Sequence, residues 1–180
     1  MLSIDFYGAT GTVTGAKFHV SNGTDNLLVE CGLFQGFKEL RLRNWDSLPF
    51  APSDLDAVIV THAHIDHTGY LPRLVKSGFE GPVYATAPTV DLCGILLPDS
   101  GELQEEEAAL ANTCGYSIHS PALPMYTAED ALACLQQFVR VPYGTRRKVT
   151  PDLWIRMLDA GHILGSSIIE VWLNDGANRA

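Results

Sequence analysis

The sequence predicts an α/β fold with antiparallel pairing at its start, helices and a strand between, and a strand pair at its end. Three observations carry that prediction. Short apolar runs, such as Leu2, Ile4 and Phe6 in alternation or the continuous Ala57-Val58-Ile59-Val60, are bounded by polar and glycine-rich turns. Between them lie segments of helical spacing, the clearest being Ala131, Leu132, Leu135, Phe138 and Val139. A last pair of strand-like runs, Trp154-Ile155-Arg156-Met157-Leu158 and residues 167–173, flanks a turn. At 180 residues the chain is long enough for one domain with a real core.

The elements follow in order. Leu2, Ile4 and Phe6 form an opening strand, broken by Gly8-Ala9-Thr10-Gly11-Thr12-Val13-Thr14-Gly15. Those three glycines let backbone approach a neighbour closely, but no G-K-[ST] follows, so this is no Walker loop. Phe18 and Val20 alternate with Lys17 and His19 in a second strand, and Ser21-Asn22-Gly23 turns into a third, Asn26-Leu27-Leu28-Val29-Glu30, completing a meander. His19 falls on the polar phase of its strand and is expected at the surface, not as a ligand. A loop, Cys31-Gly32-Leu33-Phe34-Gln35-Gly36, leads to a charged and aromatic stretch over residues 38–52 with a short helix.

Ala57-Val58-Ile59-Val60 reads as a buried strand. Pro72 and Gly78 bound the next helix, and Val83-Tyr84-Ala85 is a short strand. Pro88 opens a helix that Pro98 is expected to end. Asp99-Ser100-Gly101-Glu102 resembles a capping box for a separate acidic helix over residues 103–112. Residues 113–126, including His119, are expected as a loop, and Thr127-Ala128-Glu129-Asp130 caps the helix that carries Phe138 and Val139. Arg147-Lys148-Val149 and residues 154–158 pair around Pro151-Asp152, residues 159–166 turn again, and Ser167 to Leu173 is the last strand.

Composition narrows the class. Apolar residues make up 46% and charged residues 18%, the balance of a globular protein. No apolar run approaches the ~20 residues of a membrane helix. The N-terminus lacks a basic stretch followed by an apolar one, so a cytoplasmic protein without a membrane partner is expected. Cys31, Cys93, Cys114 and Cys134 show no C-x-x-C spacing and are expected as reduced thiols. The net charge of −9 weighs against an extended nucleic-acid surface on this stretch, although base gathers at Lys38, Arg41 and Arg43 and at Arg146, Arg147 and Lys148.

The chemistry concentrates in Thr61-His62-Ala63-His64-Ile65-Asp66-His67, directly after the buried strand. His62 and His64, two apart, can face one way from an extended end and take one metal. Asp66 and His67, at the turn into the next element, can start a second site. Imidazole and carboxylate suit zinc better than iron or manganese and leave positions for water. His162, in Gly161-His162-Ile163-Leu164-Gly165, occupies the same kind of strand-end position. With His62 and His64 it would complete a His₃ site, the arrangement that lowers the pKa of water to about 7. The second site is short of ligands: of the later acids, Glu170 lies in a strand and Asp175 in a terminal turn.

These residues resemble the metallo-β-lactamase superfamily, and within it the β-CASP branch of RNA-processing ribonucleases. The histidine motif marks the superfamily. The branch is indicated by Gly8-Ala9-x-Gly11-x-Val13-Thr14-Gly15, Cys31-Gly32-Leu33-Phe34-Gln35-Gly36, Asp99-Ser100-x-x-Leu103-Gln104-Glu105-Glu106-Glu107-Ala108 and Gly161-His162-Ile163-Leu164-Gly165-Ser166. The resemblance implies a four-layer αββα sandwich, two Zn2+ ions in the full-length protein, and hydrolysis of RNA phosphodiester bonds by a metal-activated hydroxide. It implies His62, His64, Asp66, His67 and His162 as metal ligands, with Asp66 also catalytic. Glu30 stands where the family usually has an aspartate supporting the histidine loop. The family's bridging aspartate, inserted β-CASP domain and later histidines have no counterpart here. Residues 1–180 are therefore expected to be the N-terminal portion of the metallo-β-lactamase domain of a longer protein, weakly active or inactive alone. RNA is the expected partner of the full-length protein, with a homodimer or a complementing chain also open. Hydrolysis of a small ester, thioester or lactam, or a non-catalytic scaffold role, are the alternatives.

Overall fold

The computed structural model describes residues 1–173. Alternating apolar residues build an antiparallel meander from β1 (Ser3–Phe6), β2 (Phe18–Ser21) and β3 (Asn26–Val29), with Val20 opposite Leu27. Past the short helix α1 (Lys38–Leu42), strand β4 (Ala57–Ile59) joins the meander in parallel, Leu28 pairing with Val58. Helices α2 (Ile65–Thr68) and α3 (Leu71–Lys76) carry the chain over to β5 (Val83–Ala85). Helices α4 (Ala87–Cys114) and α5 (Ala128–Leu135) then carry it to β6 (Phe138–Arg140), so six strands stand in sequence order. Three more, β7 (Arg147–Lys148), β8 (Leu153–Asp159) and β9 (Ser167–Leu173), form a separate antiparallel sheet.

The described residues stack as helices, sheet and sheet. Val58, Val60, Val83 and Ala85 face the helical layer, against Leu71, Leu74, Cys93 and Leu97. Ala57, Ile59 and Tyr84 face the second sheet, against Leu153, Ile155 and Met157. This explains why residues 57–60 read as a continuous apolar run: β4 is covered on both faces. No helix among the described residues is long and apolar enough to cross a membrane, and the four cysteines are free thiols, as expected.

Three expectations are corrected. Pro98 does not end a helix: α4 runs for 28 residues from an N-cap at Thr86 to the left-handed Gly115, with Pro98 inside it. A mid-helix proline costs about 3 kcal/mol, which the burial of Cys93, Leu97, Gly101 and Ala111 along the same helix offsets. Asp99-Ser100-Gly101-Glu102 is consequently no cap. Ser100 Oγ bonds Tyr126 Oη at 2.8 Å, and Gly101 is where α5 comes closest, since a Cβ there would lie 2.5 Å from Ala128 N. Second, Phe138 and Val139 leave the helix and pair with Val83 and Tyr84 respectively as β6, because edge pairing with β5 satisfies backbone groups that one more helical turn would have used. Third, His19 is not a surface residue: it is partly buried, stacked against Tyr7 and Phe50 at 6.4 and 5.7 Å, with Nε2 3.2 Å from Asn26 Oδ1.

Candidate metal centre

Two backbone segments build the centre. After β4 the chain bends at Thr61 and runs without regular structure to His64, whose carbonyl accepts from His67 N and Thr68 N, both at 2.9 Å, so α2 starts immediately beyond it. The segment after β3, joined by Ala16 from the β1–β2 connection, clamps this turn. Leu33 N donates to Ile65 O at 3.0 Å, Cys31 N to His67 O at 2.8 Å and Ala16 N to Asp66 O at 3.0 Å. Contact is so close that a Cβ on Gly32 would lie 1.6 Å from Asp66 O. Only glycine fits there.

His162 arrives from the other sheet, on the β8–β9 turn. Ser166 Oγ accepts from His162 N at 3.0 Å and Ile163 N at 3.2 Å. The buried hydroxyls of Thr86 and Thr89 donate to Gly165 O at 2.6 and 2.9 Å, and Tyr143 Oη donates to Ser166 O at 2.8 Å. Ser167 N reaches across to Thr61 O at 2.8 Å, tying the turn to the end of β4. These supports went unnoticed in the sequence. A threonine two residues before Pro88 was a readable N-cap signal for Thr86; Tyr143 offered none.

The result is a convergent cluster. His62, His64 and His162 each offer a ring nitrogen, and these atoms lie within 4.8 Å of one another, the one such group among the described residues. His62 is buried, while His64 and His162 are open to solvent. His62 Nε2 and His64 Nδ1 are 2.9 Å apart. His67 stands beside them with its ring 4.1 Å from that of His62, and Asp66 Oδ2 is 3.5 Å from His67 Nε2. Glu30 is buried, with a left-handed backbone (φ +66°). Its Oε1 accepts from Thr61 N at 2.9 Å, and its Oε2 lies 3.2 Å from His67 Nδ1. Glu170 takes no part: it pairs with Arg156 at 2.5 Å on the second sheet. Asp175 lies outside the described residues.

The electrostatics follow from this packing. Burial, and then the neighbouring His67, His64 and His162, hold His62 down to about 4. Burial also opposes a charge on His67, but the hydrogen bond and charge of Glu30, helped by Asp66, outweigh it and raise that imidazole. Three converging imidazoles, one of them kept neutral, with a carboxylate-oriented fourth and the Asp66 carboxylate beside it, are a donor set suited to a borderline-soft divalent cation.

Residues 18–104 match the metallo-beta-lactamase superfamily. The chain is 31% identical over 175 residues to transcription termination factor FttA of Methanocaldococcus jannaschii, covering 97% of this chain and 26% of the relative. It is 34% identical over 163 residues to ribonuclease TTHA0252 of Thermus thermophilus, covering 91% and 33%. Among solved structures it is similar to BJP-1, a subclass B3 metallo-β-lactamase of Bradyrhizobium japonicum. The TM-score there is 0.56 at 20% identity, over 99% of this chain and 57% of that one. Residues 18–104 form a metallo-β-lactamase superfamily domain, and the likeness to BJP-1 is one of fold. The chain spans a quarter to a third of the length of these curated relatives.

Proposed function

We propose that this chain supplies the metal-holding part of a zinc-dependent hydrolase that cleaves RNA phosphodiester bonds. The observation that carries the reading is the convergence of His62, His64 and His162 from two sheets. Zinc held there supplies Lewis-acid stabilisation of charge developing on a phosphoryl group. The chain's own residues prepare for it. His62, held down to about 4, keeps its ring nitrogens uncharged at neutral pH. Glu30 accepts from His67 Nδ1 and so turns the lone pair of Nε2 toward Asp66. We assign Asp66 and His67 to a second zinc, and Asp66 also to accepting a proton in the reaction. RNA as the substrate is supported by the relative named a ribonuclease.

The test uses the full-length protein. Zinc content and cleavage of labelled RNA are expected to fall together in His64→Ala. Intact RNA in the presence of protein with both sites shown to hold zinc would overturn the reading. A second reading, action in transcription termination, is supported by the FttA factors, which are 30–32% identical over most of this chain. Release of transcripts from stalled transcription complexes, measured beside cleavage, separates the two.

A further inference from the structure

A cleft of about 220 Å³ is walled in part by Tyr7, Lys17, Phe34, Arg43, Asp46 and Tyr70. Lys17 is 4% exposed. Its ammonium donates to Gly32 O at 2.5 Å and sits 4.5 Å from the centre of the Tyr70 ring and 5.0 Å from that of Phe34. The Arg43 guanidinium covers the same Phe34 ring at 4.3 Å. Among the described residues, neither cation has a carboxylate within the 4.0 Å of an ion pair. Asp46 is the one acid on the wall.

A buried ammonium without a counter-ion is costly, and a bound anion offsets that cost. Burial foremost, and then Arg43 against the opposing pull of Cys31, brings Lys17 down to about 8, so it is still mostly cationic at neutral pH. The aromatic rings hold both cations in place at little entropic cost, and an arginine beside a lysine suits a phosphate better than a lone carboxylate. Lys17 links the cleft to the candidate metal centre through the backbone: its ammonium holds Gly32 O, and Gly32 packs on the Asp66 carbonyl, which also accepts from Ala16 N.

We propose that this cleft is a phosphate-binding subsite, separate from the metal centre, in which Lys17 and Arg43 grip a phosphate group of a nucleotide or RNA strand. Assignment of that phosphate to RNA rests on the proposed function; the phosphate chemistry does not. The test is calorimetric titration of the full-length zinc-loaded protein with adenosine 5′-monophosphate, inorganic phosphate and adenosine. The monophosphate should bind, adenosine should not, and Arg43→Gln and Lys17→Met should each weaken binding about tenfold with zinc content unchanged. Arg43 is exposed, so Arg43→Gln decides the matter if Lys17→Met does not fold. Monophosphate binding tighter than that of inorganic phosphate supports a nucleotide occupant, and equal binding supports the free ion. Binding unaffected by Arg43→Gln overturns the subsite. If RNA is not cleaved but the Arg43-dependent binding persists, the proposed function falls and the phosphate site stands.

Discussion

Glu30→Gln separates positioning from packing at this centre. The amide has the size of the carboxylate but must choose how to orient. Thr61 N requires an acceptor at 2.9 Å, so the amide oxygen goes there and the NH₂ faces His67 Nδ1, 3.2 Å away. A donor now meets Nδ1, which must therefore give up its proton, and the proton moves to Nε2. Nε2 then loses the lone pair that a metal requires. Loss of such an orienting partner costs 10–100-fold in metal affinity, about 1.4–2.7 kcal/mol. Stability should change by under about 1 kcal/mol, because the Thr61 bond survives. Glu30→Ala breaks both bonds and should lose about 3–5 kcal/mol of stability. Competition titrations against a zinc chromophore, beside thermal unfolding of both variants, read these quantities separately. Parental zinc affinity at every site in Glu30→Gln would refute the orienting role of Glu30.

Three further outcomes are expected. The metal-free protein should lose stability below pH 6.5: His62 refuses, down to about 4, a proton that the unfolded chain takes up near 6.5, so its contribution falls as pH drops through that window by roughly 3 kcal/mol. His67 opposes this, its raised value giving stability that is full at low pH and lost as pH rises through it. A pH series of melting curves for the parent and for His62→Gln should diverge between pH 6.5 and 4. Gly165→Ala should cost at least about 3 kcal/mol and displace His162, since φ is +83° and the new Cβ would lie 2.6 Å from Thr89 N; normal melting and zinc affinity would contradict this. Pro98→Ala should stabilise the chain by about 1–3 kcal/mol, because it removes the ring from the middle of α4 and restores an N–H; chemical denaturation midpoints decide it.

Much of this molecule was readable from the chain, for local reasons. The meander and residues 57–60 followed from short-range alternation and from burial on two faces. The histidine motif stood out because its donors are close in sequence, and His162 because glycines flank it. What was not readable depends on partners distant in sequence. Nothing near Pro98 says that α5 will pack at Gly101 and carry the helix through, and nothing near Phe138 says that β5 offers an edge. The spacing of Phe138 from Leu135 fits a helix as well as a strand, and pairing with β5 decided between them. Lys17 looked like an ordinary outward lysine until Phe34, Tyr70 and Arg43 closed around it.

The three side chains that could hold a metal come from both sheets: His62 and His64 from the end of β4, His162 from the β8–β9 turn. An ion gripped by all three is a rivet through the sandwich. It would bind only while the sheets stay in register, and a sheet that slides or peels away must first release it. Occupancy of the site then becomes a gauge of whether the two layers are closed, and a chelator would loosen the seam between sheets before either sheet's own ladder of hydrogen bonds.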